Sequence, residues 1–173
     1  KLVGIALDGI PIYTALGPGG YDMIAGKIYE GIEPIKIDEC GGTYGPTPDG
    51  TRYHYRTMPT CILPPAAGKD RSFDERVRVW NSSEYTYDYG YDIRRQQYVT
   101  DIEHLLDGFV GTPGEKYPQI IGWATTGQPI YSPYNSRGLL QSQLDNCNGK
   151  FDADGSYGYY VKPTFPYIVG CFG

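Results

Sequence analysis

The sequence predicts a mainly β fold with short helices, arranged as two tandem, sequence-related β-rich modules packed into one pseudo-symmetric, disulfide-bonded unit. Three observations predict it. The 173 residues include 24 Gly, 14 Pro and 18 Tyr. Gly and Pro punctuate turns, whereas Tyr favours a pleated, half-buried surface, so short strands and many loops are expected. Blocks of residues near the start recur in the same order near the end, and four cysteines fall into two short-range pairs. A chain of this length can bury the core of one compact unit.

Taken in order, the first strand is VGIALDG, which runs into the turn and strand IPIY (residues 3–13). It is answered by IGWATTGQPIY (121–131), with seven of eleven positions identical or near-identical. IDECGG (37–42) is answered by LDNCNG (144–149), and DGTRYHYR (49–56) by DGSYGYY (154–160). Each half closes on a Pro and a Cys, Pro59 with Cys61 and Pro166 with Cys171. Pro11 to Cys40 spans 29 positions and Pro129 to Cys147 spans 18, so the first half carries an insertion around GPGGYDMIAGK. A tandem duplication gives this pattern. The module boundaries fall at 1–65 and 119–173, around a connector, 66–118, that has no counterpart. The chain opens on Lys1 inside what reads as a strand, which suggests a processed product or a partial chain.

Within the connector, VRVW alternates as a strand. EYTYDYGYD places Tyr85, Tyr87, Tyr89 and Tyr91 on one face of an extended strand, opposite Glu84, Thr86, Asp88 and Asp92. TDIEHLLDGF then changes period. Ile102, Leu105, Leu106 and Phe109 share a helical face, Thr100 and Glu103 have capping-box spacing, and Gly108 is placed to end the helix. His104 points away from that apolar face and reads as a solvated surface residue.

Cys40 with Cys61 and Cys147 with Cys171 are expected to form two disulfides, though spacing alone leaves other connectivities open. Disulfides imply an oxidising compartment, hence an extracellular or cell-surface protein. Asn81-Ser82-Ser83 is an N-glycosylation acceptor pattern consistent with secretion. A net charge of −5 argues against a nucleic-acid partner, which needs clustered Lys and Arg. No apolar run is long enough to span a bilayer.

The repeated blocks resemble the modules of YHYH-domain proteins, whose pattern runs G-x-A-L-D-G-x-P-I-Y, D-x-C-x-G-H, Y-H-Y-H, then a Pro followed by Cys. The resemblance covers most of the chain except residues 66–118 and implies a secreted, disulfide-bonded, β-rich domain. The departures fall on the histidines. The first half keeps only His54, with Thr43 and Arg56 at the other two places; the second has Lys150, Gly158 and Tyr160 at all three. Asp8 of ALDG is matched by Thr126.

A transition-metal site needs three or four convergent His, Cys or carboxylate ligands. The candidates are Asp8, Asp38, Glu39 and His54. Alternation puts His54 opposite Tyr53 and Tyr55, and a hydrogen-bonded structural histidine is the expectation. Asn146, Asn148, Asp152 and Asp154 alternate ahead of Gly155 as a calcium alternative, but the closing acid of an EF-hand loop is missing. No nucleophile elbow or nucleotide loop appears, and carboxylate pairs are inevitable among 20 acidic residues. The expectation is therefore a protein that is not an enzyme and has no resident cofactor: an extracellular structural subunit that assembles with itself into a filament or surface layer, with the connector tyrosines at the contact. A secreted glycan- or peptide-binding module and a metal protein centred on His54 are the alternatives.

Overall fold

The computed structural model describes residues 1–24, 35, 37–38, 40–62, 119–133, 141–162 and 164–172, together with the backbone of four short strands between 79 and 98. The N-terminal strands are β1 (Leu2–Ala6), β2 (Pro11–Tyr13), β3 (Gly42–Thr47) and β4 (Gly50–Tyr55). In the connector lie β5 (Val79–Asn81) paired with β6 (Thr86–Asp88), and β7 (Tyr91–Asp92) paired with β8 (Gln97–Tyr98). The C-terminal strands are β9 (Ile120–Ala124), β10 (Pro129–Tyr131), β11 (Gly149–Phe151) and β12 (Tyr157–Tyr160). Helix is confined, among the described residues, to two 3-10 turns at Pro18–Gly20 and Thr60–Ile62.

Eight strands make one mixed sheet in the order β11-β12-β10-β9-β1-β2-β4-β3. β1 is antiparallel to β2, β2 parallel to β4, and β4 antiparallel to β3. The relations β9 to β10, β10 to β12 and β12 to β11 are the same three in the same order. β1 and β9 meet antiparallel in the middle, with Gly4 opposite Ala124, Ile5 opposite Trp123 and Ala6 opposite Gly122. The strand that opens the sequence is thus interior, hydrogen-bonded on both sides.

One turn design recurs. The Gly9 amide donates to the Ala6 carbonyl, the Ala6 amide to the Ile10 carbonyl, and Gly9 sits at φ +85°. Gly127, at φ +94°, does the same between Ala124 and Gln128. A three-residue hairpin loop closed by a left-handed residue requires this geometry, and glycine adopts it without a Cβ penalty.

The aromatic and β-branched residues of these strands then sort by alternation. Ala6, Ile12, Tyr55, Ala124, Ile130 and Tyr159 pack with the loop residues Ile24, Ile37, Met58, Val161, Ile168 and Val169 in a single core. Ile12, Ile121, Ile130 and Ile168 are completely buried, and each contributes about 1.5–3 kcal/mol. Tyr167 donates to the Asp22 carboxylate across 145 residues of sequence, so the two ends of the chain share this core.

Two disulfides form, Cys40–Cys61 and Cys147–Cys171, closing 21 and 24 residues. No cysteine is free. Such bonds point to an oxidising environment. No described helix is long and apolar enough to cross a membrane.

The extended tyrosine strand expected over residues 84–92 is not one strand. Tyr87 lies in β6 and Tyr91 in β7, which belong to different two-stranded sheets. Tyr85 and Tyr89 lie outside the described residues, as do Glu39, His104 and the helix expected at 100–109.

Candidate functional site

Among the described residues, six tyrosine hydroxyls each donate to an aspartate. Tyr13 donates its hydroxyl to Asp49 Oδ2 at 2.7 Å, Tyr53 to Asp38 Oδ2 at 2.7 Å, Tyr55 to Asp8 Oδ2 at 2.7 Å and Tyr160 to Asp152 Oδ1 at 2.8 Å. Tyr157 donates to Asp145, and Tyr167 to Asp22. Burial, reinforced by the Asp8 carboxylate, pushes the Tyr55 hydroxyl far above the ordinary phenol value. Tyr157 beside Asp145 and Tyr160 beside Asp152 are raised for the same reasons in the same order.

Asp38 and Asp145 do a second job. Asp38 Oδ1 accepts the amides of Cys40 and Gly42, and Asp145 Oδ1 those of Cys147 and Gly149. In each turn the fourth residue, Gly41 or Asn148, is left-handed, at φ +79° or +68°. A Cβ on Gly42 would collide with the Tyr53 hydroxyl, and one on Gly149 with that of Tyr157. Glycine at both places therefore lets the phenol reach its carboxylate. Burial alone would raise the Asp145 carboxyl, but the Tyr157 hydroxyl and the two amides outweigh it and hold the group below the usual carboxylate range.

His54 stands on the opposite face of β4 from Tyr53 and Tyr55, edge-on to Tyr13 with ring centroids 5.4 Å apart. It is 1% exposed. Arg56 Nε donates to His54 Nε2 at 3.2 Å, so the ring proton is on Nδ1, which donates to the Arg52 carbonyl at 2.9 Å. Burial lowers the imidazole below its ordinary value; the Arg52 carbonyl opposes that shift and the Arg56 charge adds to it. The Arg56 guanidinium, itself buried, also donates from Nη1 to the Thr14 carbonyl at 2.6 Å and lies 5.5 Å from the centre of the Tyr13 ring. Both ring nitrogens of His54 are thus engaged by groups of the protein itself.

Of the residues considered for a transition metal, Asp8, Asp38 and His54 are not brought together, and Glu39 lies outside the described residues. Asp8 and Asp38 serve the hydroxyls of Tyr55 and Tyr53 on the core side, whereas His54 faces Tyr13 on the other. The calcium alternative fares similarly. Asp152 accepts from Tyr160, Asp154 Oδ1 accepts the Ser156 amide at 2.9 Å, and Asn148 turns inward to donate to the Ile168 carbonyl at 2.6 Å. Asn146 is exposed. Among the described residues no three His, Cys, Asp or Glu side chains cluster as metal ligands.

Apolar side chains also lie at the surface. Leu2, Ile5, Leu7, Ile120 and Trp123 are all exposed along the central strands. At the sheet's two edges, Tyr44 is 73% and Phe151 71% exposed, each two residues beyond the glycine capped by its aspartate. Sequence reasoning missed these. A continuous apolar run such as VGIAL reads as a strand buried on both faces, and only the register shows which side lies bare. Asn81 ends β5, opposite Thr86.

Comparison with protein-family models, with curated proteins and with solved structures finds no match to this chain.

Proposed function

We propose that this protein is a non-catalytic, extracellular structural subunit that associates with copies of itself, built from two diverged copies of one YHYH-like module. The observation that carries the reading is the commitment of the candidate side chains among the described residues. Asp8, Asp38, His54, Asp152 and Asp154 each hold an internal bond that shapes a strand or turn. The duplication is supported by the strand order and by the paired constructions Asp38/Gly42/Tyr53 and Asp145/Gly149/Tyr157. What persists between the copies is scaffold: the Pro-Ile-Tyr strand, the capped turn, the cystine. What differs is the set of positions at which imidazoles would stand.

Electron microscopy and light scattering on the purified, oxidised protein test the reading. Ordered or concentration-dependent assemblies are expected, with transition metal absent at stoichiometric level and no change in assembly on His54→Gln. Monodisperse monomers at high concentration, or a bound transition ion lost with His54, would overturn it. A second reading, a glycan-binding module, draws on the exposed Trp123, Tyr44 and Phe151, since aromatic faces stack on sugars. Saturable binding on a glycan array, abolished by Trp123→Ala, would favour it over self-association.

A further inference from the structure

An antiparallel sheet with one solvated face normally alternates apolar-in and polar-out. The β1–β9 pair departs from that rule. Within the two strands the exposed positions are Leu2, Ile5, Ile120 and Trp123, every one a large apolar residue; the turns beyond add Leu7 on one side and Thr125 on the other. Ile5 and Trp123 face one another directly and have Pro11 and Pro129 as their outer neighbours, so the row Pro129, Trp123, Ile5, Pro11 crosses four strands without a charge.

We infer that this stripe is the surface through which two copies of the chain pack face to face about a two-fold axis. The inference rests on the self-associating reading above and names the contact. Three observations select a second copy as the occupant. First, the sheet is poorly made for sideways growth. Alternate residues of an antiparallel edge turn their amides outward; on β3 these are Gly42, whose amide Asp38 takes, Tyr44, and Pro46, which has no N–H. On β11 they are Gly149, taken by Asp145, and Phe151. One outward amide per edge is too little for a stable strand pairing, and such blunting is how natural sheets avoid extension.

Second, the stripe repeats itself under a half-turn about the Ile5–Trp123 pair. The Leu7 amide donates to the Ile121 carbonyl and the Thr125 amide to the Val3 carbonyl, both at 2.9 Å. Pro11 exchanges with Pro129, and Leu2 with Ile120, as partners of Tyr13 and Tyr131. Leu7 is the exception, since Thr125 stands at its counterpart; elsewhere a two-fold contact, which places one patch on itself, lays apolar groups on apolar groups. Third, the chain carries −5 net charge and the stripe none. Two copies of an acidic protein repel least there, and an anionic membrane has nothing to hold. The stripe measures about 17 Å along the strands by about 14 Å across them. That is the dry centre of an interface, smaller than the ~800 Å² each partner gives to a stable one, so the dimer forms reversibly.

Sedimentation velocity over a concentration series, combined with tryptophan emission, tests the contact. In a Trp80→Phe background Trp123 is the sole tryptophan. Dimerisation is expected to shift its emission to the blue in step with mass. Leu7→Lys, which changes a half-exposed turn residue, and Ile5→Lys should each raise the dimer dissociation constant at least tenfold while near-ultraviolet circular dichroism stays native. Assembly with Trp123 emission unmoved would sink the contact and leave the self-associating function standing. Monomers at every concentration would sink both. Trp123 emission already blue at the lowest concentration, in a monomer, would show that the chain covers the stripe with its own residues and would likewise overturn the inference.

Discussion

Tyr53 and Gly42 illustrate how a single atom decides a local structure. The hydroxyl lies where a Cβ on residue 42 would stand, so Gly42→Ala is expected to destabilise by about 1–3 kcal/mol through overpacking. Tyr53→Phe removes the bond that pins the ring to Asp38, at a cost of about 1–2 kcal/mol; Cζ would still stand 2.5 Å from that Cβ, but the untethered ring is free to shift away. The double variant should lose less than the sum, with a coupling on the order of 1 kcal/mol in denaturant unfolding; strict additivity would show that the collision is relieved elsewhere. His54 supplies a prediction with a sign. Its folded value is lowered by burial and the Arg56 charge, so the unfolded chain takes up a proton first. Stability is then full above about pH 6.5 and is lost as pH falls towards the depressed folded value. Replacing His54 with Gln, which keeps an acceptor for Arg56, should flatten that limb of a stability-against-pH curve. An unchanged slope would mean that another group carries the proton.

At the scale of the element, each cystine fastens the loop before β3 or β11 to the segment that follows β4 or β12. The closed loops of 21 and 24 residues predict that the paired variant Cys40→Ser with Cys61→Ser loses about 3 kcal/mol in the chain-entropy model. Equilibrium unfolding checks this, with a loss below 1 kcal/mol assigning the work to the Asp38 turn instead. Strands β1, β2, β4, β9, β10 and β12 were legible because their residues are β-branched or aromatic and their turns carry Asp-Gly or Thr-Gly. His54 opposite Tyr53 and Tyr55 followed from alternation alone. The pairing of tyrosines with aspartates was not legible, since the fold and not a fixed spacing selects the partners; Tyr160 and Asp152 are 8 positions apart, Tyr13 and Asp49 36 and Tyr55 and Asp8 47. Nor was the division of the connector's tyrosine run between β6 and β7. Alternation describes a strand that exists but does not say where one stops.

Across the whole molecule, neither cystine links residues 1–62 to residues 119–173; each closes within its own part. The two parts are joined covalently through the intervening peptide chain alone, and physically through the β1–β9 ladder, the shared core and the Tyr167–Asp22 bond. A single proteolytic cut between residues 63 and 118 should therefore give two fragments under denaturing, non-reducing electrophoresis that still co-elute under native conditions. Separate elution would show that the ladder cannot hold without its tether. If they stay together, the parts behave as a complementing pair: expressed as independent chains, each folding around its own cystine, they should reconstitute the eight-stranded sheet on mixing, much as the halves of a split reporter do.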